Sequence, residues 1–283
     1  MPRWHPSRLK HKRVSCHAQG LAQALLFNAL MHDSRPSPPL TWLEPGQPFP
    51  PVSQAWGPSS EAPGLLAAGD QLDAAMLVKA YGRGIFPWFS PGQPVLWWSP
   101  DPRMVLPLSE FKLHRSLRQT LKNWTLTPGV EMVFDRDFAQ VVSRCGQAPR
   151  QGQAGTWIVP AIVEAYTELH RMGLAHSAEI WQNGQLVAGL YFVSLGHAVF
   201  GESMFTTVRD GSKMALAMLV SAARRHGVQM IDCQQNTRHL ASLGAKEIPR
   251  DDFVNWVNAE LHKAPIGWSG ETLYWDSLTA PAL

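Results

Sequence analysis

Two polar side chains stand two residues apart in an apolar segment of the C-terminal half. Asp232 and Gln234 belong to residues 230–234, a predicted strand, so both side chains should project from the same face of a sheet. A carboxylate beside an amide at a strand end can orient that amide or accept a proton. An ordinary capping pair would have the same pattern, so the spacing alone leaves both interpretations open.

Three other residues are candidates for a functional role. Glu202 interrupts an apolar stretch, where a carboxylate must find a partner or a cation to replace its lost water. Either a structural ion pair or a site for a cationic substrate satisfies that need. Trp88 and Trp157 lie close to Gly or Pro, where an indole can stack on a flat ring, although a tryptophan more often belongs to a core.

Basic residues are concentrated between residues 103 and 122, where five Lys or Arg accompany one Glu. Arg115, Arg118 and Lys122 recur at i, i+3 and i+7, so they share one face of a helix predicted over residues 111–122. This spacing suits contact with successive phosphates, and it also suits a solvated helix surface.

The elements that must position these residues centre on an antiparallel meander. Asn183-Gly184 between apolar runs is typical of a type I′ hairpin. The meander should comprise strands at 177–181, 186–193 and 198–205, followed by a helix over 212–226 and the strand at 230–234. This order resembles an acyltransferase of the GNAT type, and it predicts an α+β fold with a largely antiparallel sheet flanked by helices. Further predicted elements are helices over 73–83, 159–172, 237–243 and 251–262 and strands at 95–98 and 104–108.

Composition narrows the class of protein. The chain has 283 residues, of which 45% are hydrophobic and 17% charged, with a formal net charge of +3. This is enough for two modest domains or one large one, and no window approaches the ~18 apolar residues of a membrane span. Three cysteines without a CxxC pair argue against a disulfide scaffold or a zinc site and favour a reducing compartment. No phosphate-binding loop of the P-loop or Rossmann type is present.

The two ends of the chain differ from its centre. Residues 1–38 have five basic residues before the first acid, Asp33, which would suit a signal peptide. No small-x-small cleavage site follows, so we expect either a disordered extension or a start codon assigned too early. Residues 36–63 are rich in Pro, Gly and Ser and should be irregular.

Six motifs in series resemble the leucyl/phenylalanyl-tRNA-protein transferase family. They are LVKAYGRGIFPWFSPG at residues 77–92, LWWSPDPR at 96–103, GTWI at 155–158, GESMF at 201–205, IDCQ at 231–234 and LASLGA at 240–245. The resemblance implies a cytoplasmic bacterial enzyme that moves Leu or Phe from its tRNA to the α-amine of proteins beginning with Arg or Lys. The product carries an N-end-rule degradation signal, and neither acyl-CoA nor a metal is used. We expect some transfer of Met and a monomeric protein.

The resemblance also assigns domains and residues. It implies a small N-terminal domain over 39–102 and a GNAT-like catalytic domain over 103–265, with a tail at 266–283. Trp88 and Trp157 resemble the aromatics that hold the terminal adenosine, Met204 resembles part of the aminoacyl pocket, and Glu202, Asp232 and Gln234 resemble the catalytic group. By pattern, Leu190, Leu216 and Ile231 join the pocket, and Arg115, Arg118 and Lys122 contact the tRNA backbone. Residues 1–38, the somewhat long stretch at 145–155 and the segment after 262 depart from the family pattern.

The implied reaction is attack of an amine on an ester carbonyl. Asp232 either takes the proton or hydrogen-bonds the Gln234 side-chain amide so that its carbonyl oxygen faces the amine. We favour the second, because a carboxylate near a cationic substrate stays ionised. Glu202 is the candidate that attracts the cationic end of the acceptor.

Two other functions are weighed against this one. An acyl-CoA N-acetyltransferase would need an Arg/Gln-x-x-Gly-x-Gly/Ala loop, which is not complete anywhere in the sequence. A non-catalytic tRNA-binding module would leave Glu202, Asp232 and Gln234 without a role.

Overall fold

The computed structural model describes residues 39–148, 158–268 and 273–279 and contains two sheets. A four-stranded sheet has the order β1-β2-β4-β3, and a seven-stranded sheet has the order β11-β5-β10-β9-β8-β7-β6. The strands are β1 (Thr41–Leu43), β2 (Leu65–Gly69), β3 (Phe86–Pro87), β4 (Val95–Trp98), β5 (Arg103–Pro107), β6 (Val130–Phe134), β7 (Ala175–Gln182), β8 (Gln185–Leu195), β9 (Ala198–Thr206), β10 (Met230–Gln234) and β11 (Lys246–Ile248). The helices are α1 (Ala74–Tyr81), α2 (Arg115–Thr125), α3 (Phe138–Gln147), α4 (Pro160–Arg171), α5 (Gly211–Arg225), α6 (Arg238–Ser242), α7 (Arg250–Glu260) and α8 (Trp275–Thr279).

The small sheet carries helix α1 and the loop that follows it. The Asp73 side chain accepts a hydrogen bond from the Met76 N–H and so caps the first turn of α1. After the helix, Gly84 has φ +71°, and a Cβ at this position would lie 3.1 Å from the Phe253 ring. Only glycine meets both conditions without strain, so this loop packs closely against α7.

The meander forms as the sequence predicts. β7 pairs with β8 and β8 with β9, both antiparallel. Asn183 and Gly184 both have positive φ, at +52° and +74°, as a type I′ turn requires. Helix α5 then returns the chain across one face of the sheet to β10.

Strands β9 and β10 are parallel and pair over a very short distance. Their register joins Val199 to Ile231 and Phe200 to Asp232, after which the two strands separate. On its other side β10 pairs with β5 in the antiparallel sense, with an irregularity between Asp232 and Gln234. Gln234 has φ +63°, which bends the strand at this point. The separation opens a cleft between β9 and the end of β10.

A buried ion pair joins the two sheets and α7. The Arg103 Nε and Nη2 donate to the two carboxylate oxygens of Asp232 at 2.8 and 2.6 Å, and neither side chain is exposed. The remaining nitrogen, Nη1, donates to the Gly84 carbonyl at 3.2 Å. The guanidinium also lies over the rings of Phe86 and Phe253. Because both charges are satisfied inside the protein, this pair sets where β5, β10, α7 and the loop after α1 meet.

The predicted α+β class and the largely antiparallel sheet flanked by helices are confirmed. Most predicted elements are present within a few residues, but the strands β2, β3, β6 and β11 and the helices α3 and α8 were not predicted. All of these except α3 have five residues or fewer, which is too short for a periodic pattern to stand out. Helix α3 does bury residues at helical spacing, namely Phe138, Val141, Val142 and Cys145. The basic helix begins at Arg115 rather than at residue 111, because Phe111 and His114 have extended backbone angles, with ψ 121° and 148°. One short strand, β1, forms within the segment expected to be irregular.

The ends of the chain are described only in part. The expected extension at 1–38 lies outside the described residues. Helix α8 belongs to the expected tail and packs against α5, where Arg224 donates to the Ser277 carbonyl at 3.0 Å. Within the described ranges, no helix has the length and apolar character needed to cross a membrane.

Removing the positive member of the buried pair should destabilise the protein strongly. We expect Arg103→Met to lower the free energy of unfolding by about 3–5 kcal/mol, because Asp232 is then a buried charge without its cation. Arg171→Met is the control, since its pair with Glu168 is largely exposed and should contribute less than about 1 kcal/mol. Urea denaturation measures both. Equal losses in the two variants would contradict the prediction, and Arg103→Met combined with Asp232→Leu should recover much of the stability.

Candidate active site

The cleft between β9 and β10 opens into a cavity of about 620 Å³. One wall of the cavity is apolar, and α5 supplies part of it. It is formed by Leu190, Met204, Leu216, Leu219, Ile231 and Leu240. Glu202, Asp232, Thr237 and His239 contribute polar groups to the lining. The cavity therefore combines an apolar surface with a few polar side chains, as sites for small organic groups do.

Glu202 is held by three neutral donors. The Tyr81 hydroxyl donates to its Oε1 at 2.6 Å and the Tyr166 hydroxyl donates to its Oε2 at 3.0 Å. The Gln234 Nε2 donates to Oε1 at 2.9 Å. Tyr81 comes from α1 and Tyr166 from α4, and both are fully buried. Glu202 is thus anchored from two helices and from β10 by uncharged groups.

Burial governs the ionisation of this group. Burial raises the pKa of Glu202 to about 7, and the nearby Asp232 charge also raises it. The hydrogen bonds from Tyr81, Tyr166 and Gln234 act in the opposite direction. The hydroxyl oxygens of Tyr81 and Tyr166 also contact each other. The two tyrosines and Glu202 therefore make three oxygen–oxygen contacts, but the tyrosines supply only two hydroxyl protons. A protonated Glu202 supplies the third proton, and one of the two hydroxyls then accepts from the carboxyl group instead of donating to it. Burial and the Glu202 charge raise the pKa of each tyrosine well above its usual range, so both stay protonated.

Asp232 does not contact the side-chain amide of Gln234, contrary to our expectation. Its oxygens accept from Arg103, and Oδ1 also accepts from the Gln234 backbone N–H at 2.9 Å. The bend after Asp232 breaks the strand alternation, and the Gln234 amide turns to Glu202 instead. Glu202, rather than Asp232, therefore orients the Gln234 amide. The bond to Glu202 uses the amide nitrogen, so the side-chain carbonyl oxygen of Gln234 takes no part in it.

The structure brings most of the predicted site residues together. Glu202, Asp232 and the pocket residues Leu190, Met204, Leu216 and Ile231 all line the cavity, and Gln234 reaches it through Glu202. Trp88 does not line the cavity: its backbone carbonyl accepts from the Trp98 indole at 2.7 Å and the two rings lie 5.5 Å apart. Trp157 lies outside the described residues.

The predicted basic face is present on α2. Arg115, Arg118 and Lys122 are all exposed, while Leu117 and Leu121 on the same helix are buried. The helix therefore packs by its apolar side and presents the three charges outward.

Sequence reasoning missed Arg103, Tyr81 and Tyr166 as site residues. Arg103 and Tyr81 both lie inside the motifs at 96–103 and 77–92, so their positions offered a signal. Tyr166 offered none, because it follows the apolar spacing of an ordinary core helix.

One group of three side chains in the described part of the chain has metal-ligand chemistry: Asp135, His170 and His176. The His176 Nδ1 contacts an Asp135 oxygen at 2.7 Å and its Nε2 contacts the Gly173 carbonyl at 3.1 Å. The His170 Nδ1 contacts the Ala175 carbonyl at 2.8 Å. These nitrogens already have partners that hold β6, α4 and β7 together, so we interpret the group as structural.

Among solved structures, the chain is similar to FemX, at 11% identity and a TM-score of 0.37 over 68% of this chain and 74% of that one. It is also similar to a GCN5-related N-acetyltransferase from Kribbella flavida, at 12% identity and a TM-score of 0.29 over 58% and 56% of the two chains. Both likenesses are low.

Sequence comparison is far more specific. The family model "Leucyl/phenylalanyl-tRNA protein transferase" matches residues 105–258, and the model of that family's N-terminal domain matches residues 70–101. Relatives named leucyl/phenylalanyl-tRNA–protein transferase come from Albidiferax ferrireducens, with 56% identity over 86% of this chain and 96% of the relative, and from a Polaromonas species, with 57% identity over 85% and 94%. The chain therefore belongs to the leucyl/phenylalanyl-tRNA protein transferase family.

Proposed function

We propose that this protein transfers Leu or Phe, and to a lesser extent Met, from aminoacyl-tRNA to the α-amine of proteins that begin with Arg or Lys. The observation that carries the proposal is one cavity in which an apolar wall stands beside a hydrogen-bonded carboxylate and amide. The apolar wall suits the donor side chain, and the carboxylate suits a cationic acceptor. The product carries an N-end-rule degradation signal, and the enzyme works in the cytoplasm as a monomer.

The donor side chain lies against the apolar wall. Leu190, Leu216 and Ile231 are branched and well packed, whereas Met204 is unbranched and only partly buried. A flexible thioether adapts to either a branched or a flat side chain. Because each methylene in such a pocket contributes only about 1–3 kcal/mol of selectivity, the preference for Leu and Phe over Met is moderate.

The reaction needs positioning more than strong acid–base chemistry. An α-amine has a pKa near roughly 7.7–8.0, so a useful fraction is neutral at cytoplasmic pH. The amine nitrogen forms a bond to the ester carbonyl carbon, the ester C–O bond breaks, and a proton passes from the amine to the released 3′-oxygen. Correct placement of two large reactants supplies an effective molarity equivalent to as much as ~7–11 kcal/mol.

Gln234 is the group best placed to meet the attacking amine. Glu202 holds its amide nitrogen, so its carbonyl oxygen is available to accept an N–H bond from the amine. Asp232 acts through Gln234, because its oxygens are bound by Arg103 and by the Gln234 backbone N–H. We therefore assign Asp232 a positioning role, in preference to direct proton abstraction.

Glu202 supplies the charge that attracts the acceptor. An Arg or Lys side chain of the acceptor would favour the ionised form of Glu202, which burial otherwise disfavours.

Trp88, with Trp157, holds the terminal adenosine, and the exposed face of α2 contacts the tRNA backbone. The small sheet ends at Trp98 and the large sheet begins at Arg103, which supports a division into domains at 39–102 and 103–265.

A transfer assay tests the function directly. We expect label from Phe-tRNA to reach a peptide beginning with Arg, and not one beginning with Ala, in the absence of acyl-CoA. Gln234→Ala is the control: it should bind tRNA almost unchanged yet transfer roughly 10²-fold more slowly or worse, because it loses the hydrogen-bond acceptor that positions the attacking amine. Binding without transfer by the unaltered protein would favour the tRNA-binding module, and dependence on acyl-CoA would favour the acetyltransferase.

The charged face of α2 makes a separate prediction about salt. Replacing Arg115, Arg118 and Lys122 by Ala should weaken tRNA binding and reduce the slope of log affinity against log salt by about 2, since each lost phosphate contact contributes roughly 0.7–0.9. Filter binding between low and moderate salt measures the slope. The control replaces three exposed basic residues elsewhere, Arg144, Arg171 and Lys263, with the same change in charge. A slope that changes equally in both triple variants would show that α2 has no special contact.

Ionisation of Glu202 should make the free energy of unfolding depend on pH. Its folded pKa of about 7 exceeds its usual value, so the folded state keeps this proton to higher pH than the unfolded state does. The contribution of Glu202 to the free energy of unfolding should therefore be greatest below about pH 4.5 and fall by up to about 3 kcal/mol as pH rises to 7. Relative to Glu202→Gln, the unaltered protein should lose stability across this window, as followed by urea denaturation. The exposed Glu61→Gln is the control and should keep the pH profile of the unaltered protein, whereas parallel profiles for all three proteins would refute the assignment.

A further inference from the structure

The residues of the apolar wall differ in how much surface they present to the cavity. Four of the six are almost completely enclosed by protein atoms, and none of these four is more than 3% exposed: Leu190, Leu216, Leu219 and Ile231. The other two are only partly buried, and so is one further residue that lines the cavity: Met204, Leu240 and Cys233. A ligand contacts only atoms that solvent can reach. The donor side chain therefore meets the three partly buried residues far more than the four enclosed ones.

The three partly buried residues lie on the same side of the large sheet. Each packs against the apolar cluster that contains the enclosed wall residues and the buried face of α5. Asp232, which precedes Cys233, is instead bound by Arg103, whose guanidinium lies over Phe253 of the other apolar cluster. Cys233 therefore belongs to the wall and not to the surroundings of the ion pair.

Leu240 has a firmly held backbone. Its N–H donates to the Thr237 hydroxyl at 3.2 Å, which caps α6. Its carbonyl accepts from the Leu243 N–H at 2.9 Å and from the Ala245 N–H at 3.1 Å. Because both backbone groups are bonded, the Leu240 side chain has a fixed starting point in the cavity wall, and its apolar surface remains partly uncovered. Uncovered apolar surface in a cavity is what an apolar ligand group would bury.

Cys233 adds a short and neutral side chain to this surface. Burial raises the pKa of its thiol well above the usual range, and the Asp232 charge raises it further. The thiolate is the nucleophilic form, so the neutral thiol does not compete with the acceptor amine for the ester. A neutral thiol packs as a small hydrophobic group. Among Met204, Leu240 and Cys233, the cysteine takes up the least room.

We propose that Leu240 and Cys233 determine which donor side chains the cavity accepts. Leu240 supplies apolar surface that the donor side chain covers, and the short side chain of Cys233 leaves room for an aromatic ring. The ligand is an aminoacyl adenosine with a large apolar side chain, so this inference rests on the proposed function. Together with Met204, these residues form the contact surface, while the enclosed residues support it from behind.

Binding of two non-hydrolysable donors tests the role of Leu240. Phenylalanyl adenosine and alanyl adenosine, each with a 3′-amide link, are titrated against the unaltered protein and each variant. The Kd of the alanyl compound divided by the Kd of the phenylalanyl compound reports what the donor side chain contributes. Leu240→Ala should lower this ratio by about 3- to 10-fold, because it removes apolar surface that the ring covers. An unchanged ratio would overturn the assignment.

Leu113→Ala is the matched control. Leu113 is also partly buried against the same apolar cluster, but it does not line the cavity. Its replacement should leave the ratio as it is in the unaltered protein, and circular dichroism establishes that both variants are folded. If Leu113→Ala and Leu240→Ala lower the ratio equally, the effect comes from loosening of the cluster and the proposal is overturned.

A larger side chain tests the role of Cys233. Cys233→Val suits a strand and fills part of the room, so it should weaken binding of the phenylalanyl compound about 10-fold more than binding of the alanyl compound. Cys145→Val makes the same replacement in α3, away from the cavity, and should leave the ratio unchanged. A ratio for Cys233→Val equal to that of the unaltered protein would overturn the role of Cys233.

Separate measurements of binding and transfer distinguish this proposal from the proposed function. Altered ratios in Leu240→Ala and Cys233→Val support the contact surface even if the unaltered protein transfers no Phe. That lack of transfer would speak against the proposed function alone. Normal transfer of Phe with unchanged ratios in both variants would overturn the present proposal and leave the proposed function intact.

Discussion

The ion pair between Arg103 and Asp232 is the interaction on which the rest of the structure depends. Removing two charges from water is costly, and the pair is tolerated because the guanidinium meets both carboxylate oxygens and a backbone carbonyl. Its three partners come from β10 and from the loop after α1, while Phe253 of α7 covers one face. One fully satisfied cation thus fixes how the small sheet, the large sheet and α7 meet, and it also fixes the end of β10 where the site begins.

The site itself results from a defect in the sheet. Parallel pairing between β9 and β10 lasts for two residue pairs, and the bend at Gln234 then turns the strand away. Antiparallel neighbours on both sides hold the two strands apart, so the gap is a stable feature of the fold. Apolar side chains from α5 and the sheet line one side of the gap, and the polar network around Glu202 lines the other. A two-sided cavity of this kind can separate a donor side chain from an acceptor cation.

The two carboxylates of the site have opposite environments. Asp232 is bound by a guanidinium and is fully buried, which suits a residue that holds the backbone. Glu202 is bound by two hydroxyls and an amide, none of them charged, and its pKa of about 7 allows it to respond to a cation. Placing titratable groups in contrasting surroundings is how proteins give the same side-chain chemistry different roles.

The sequence by itself determined the local elements and the family. The Asn183-Gly184 hairpin, the helix α5 and the strand β10 follow from turn chemistry and hydrophobic spacing, which act between neighbouring residues. Motifs in series identified the family and singled out Glu202, Met204 and Asp232, which line the cavity. Only the tertiary structure decided that Arg103 neutralises Asp232, 129 residues away, and that Tyr81 and Tyr166 hold Glu202. It also decided that the Gln234 amide turns to Glu202, because a bend in one strand and a side-chain partner on another strand leave no trace in the periodicity of either segment.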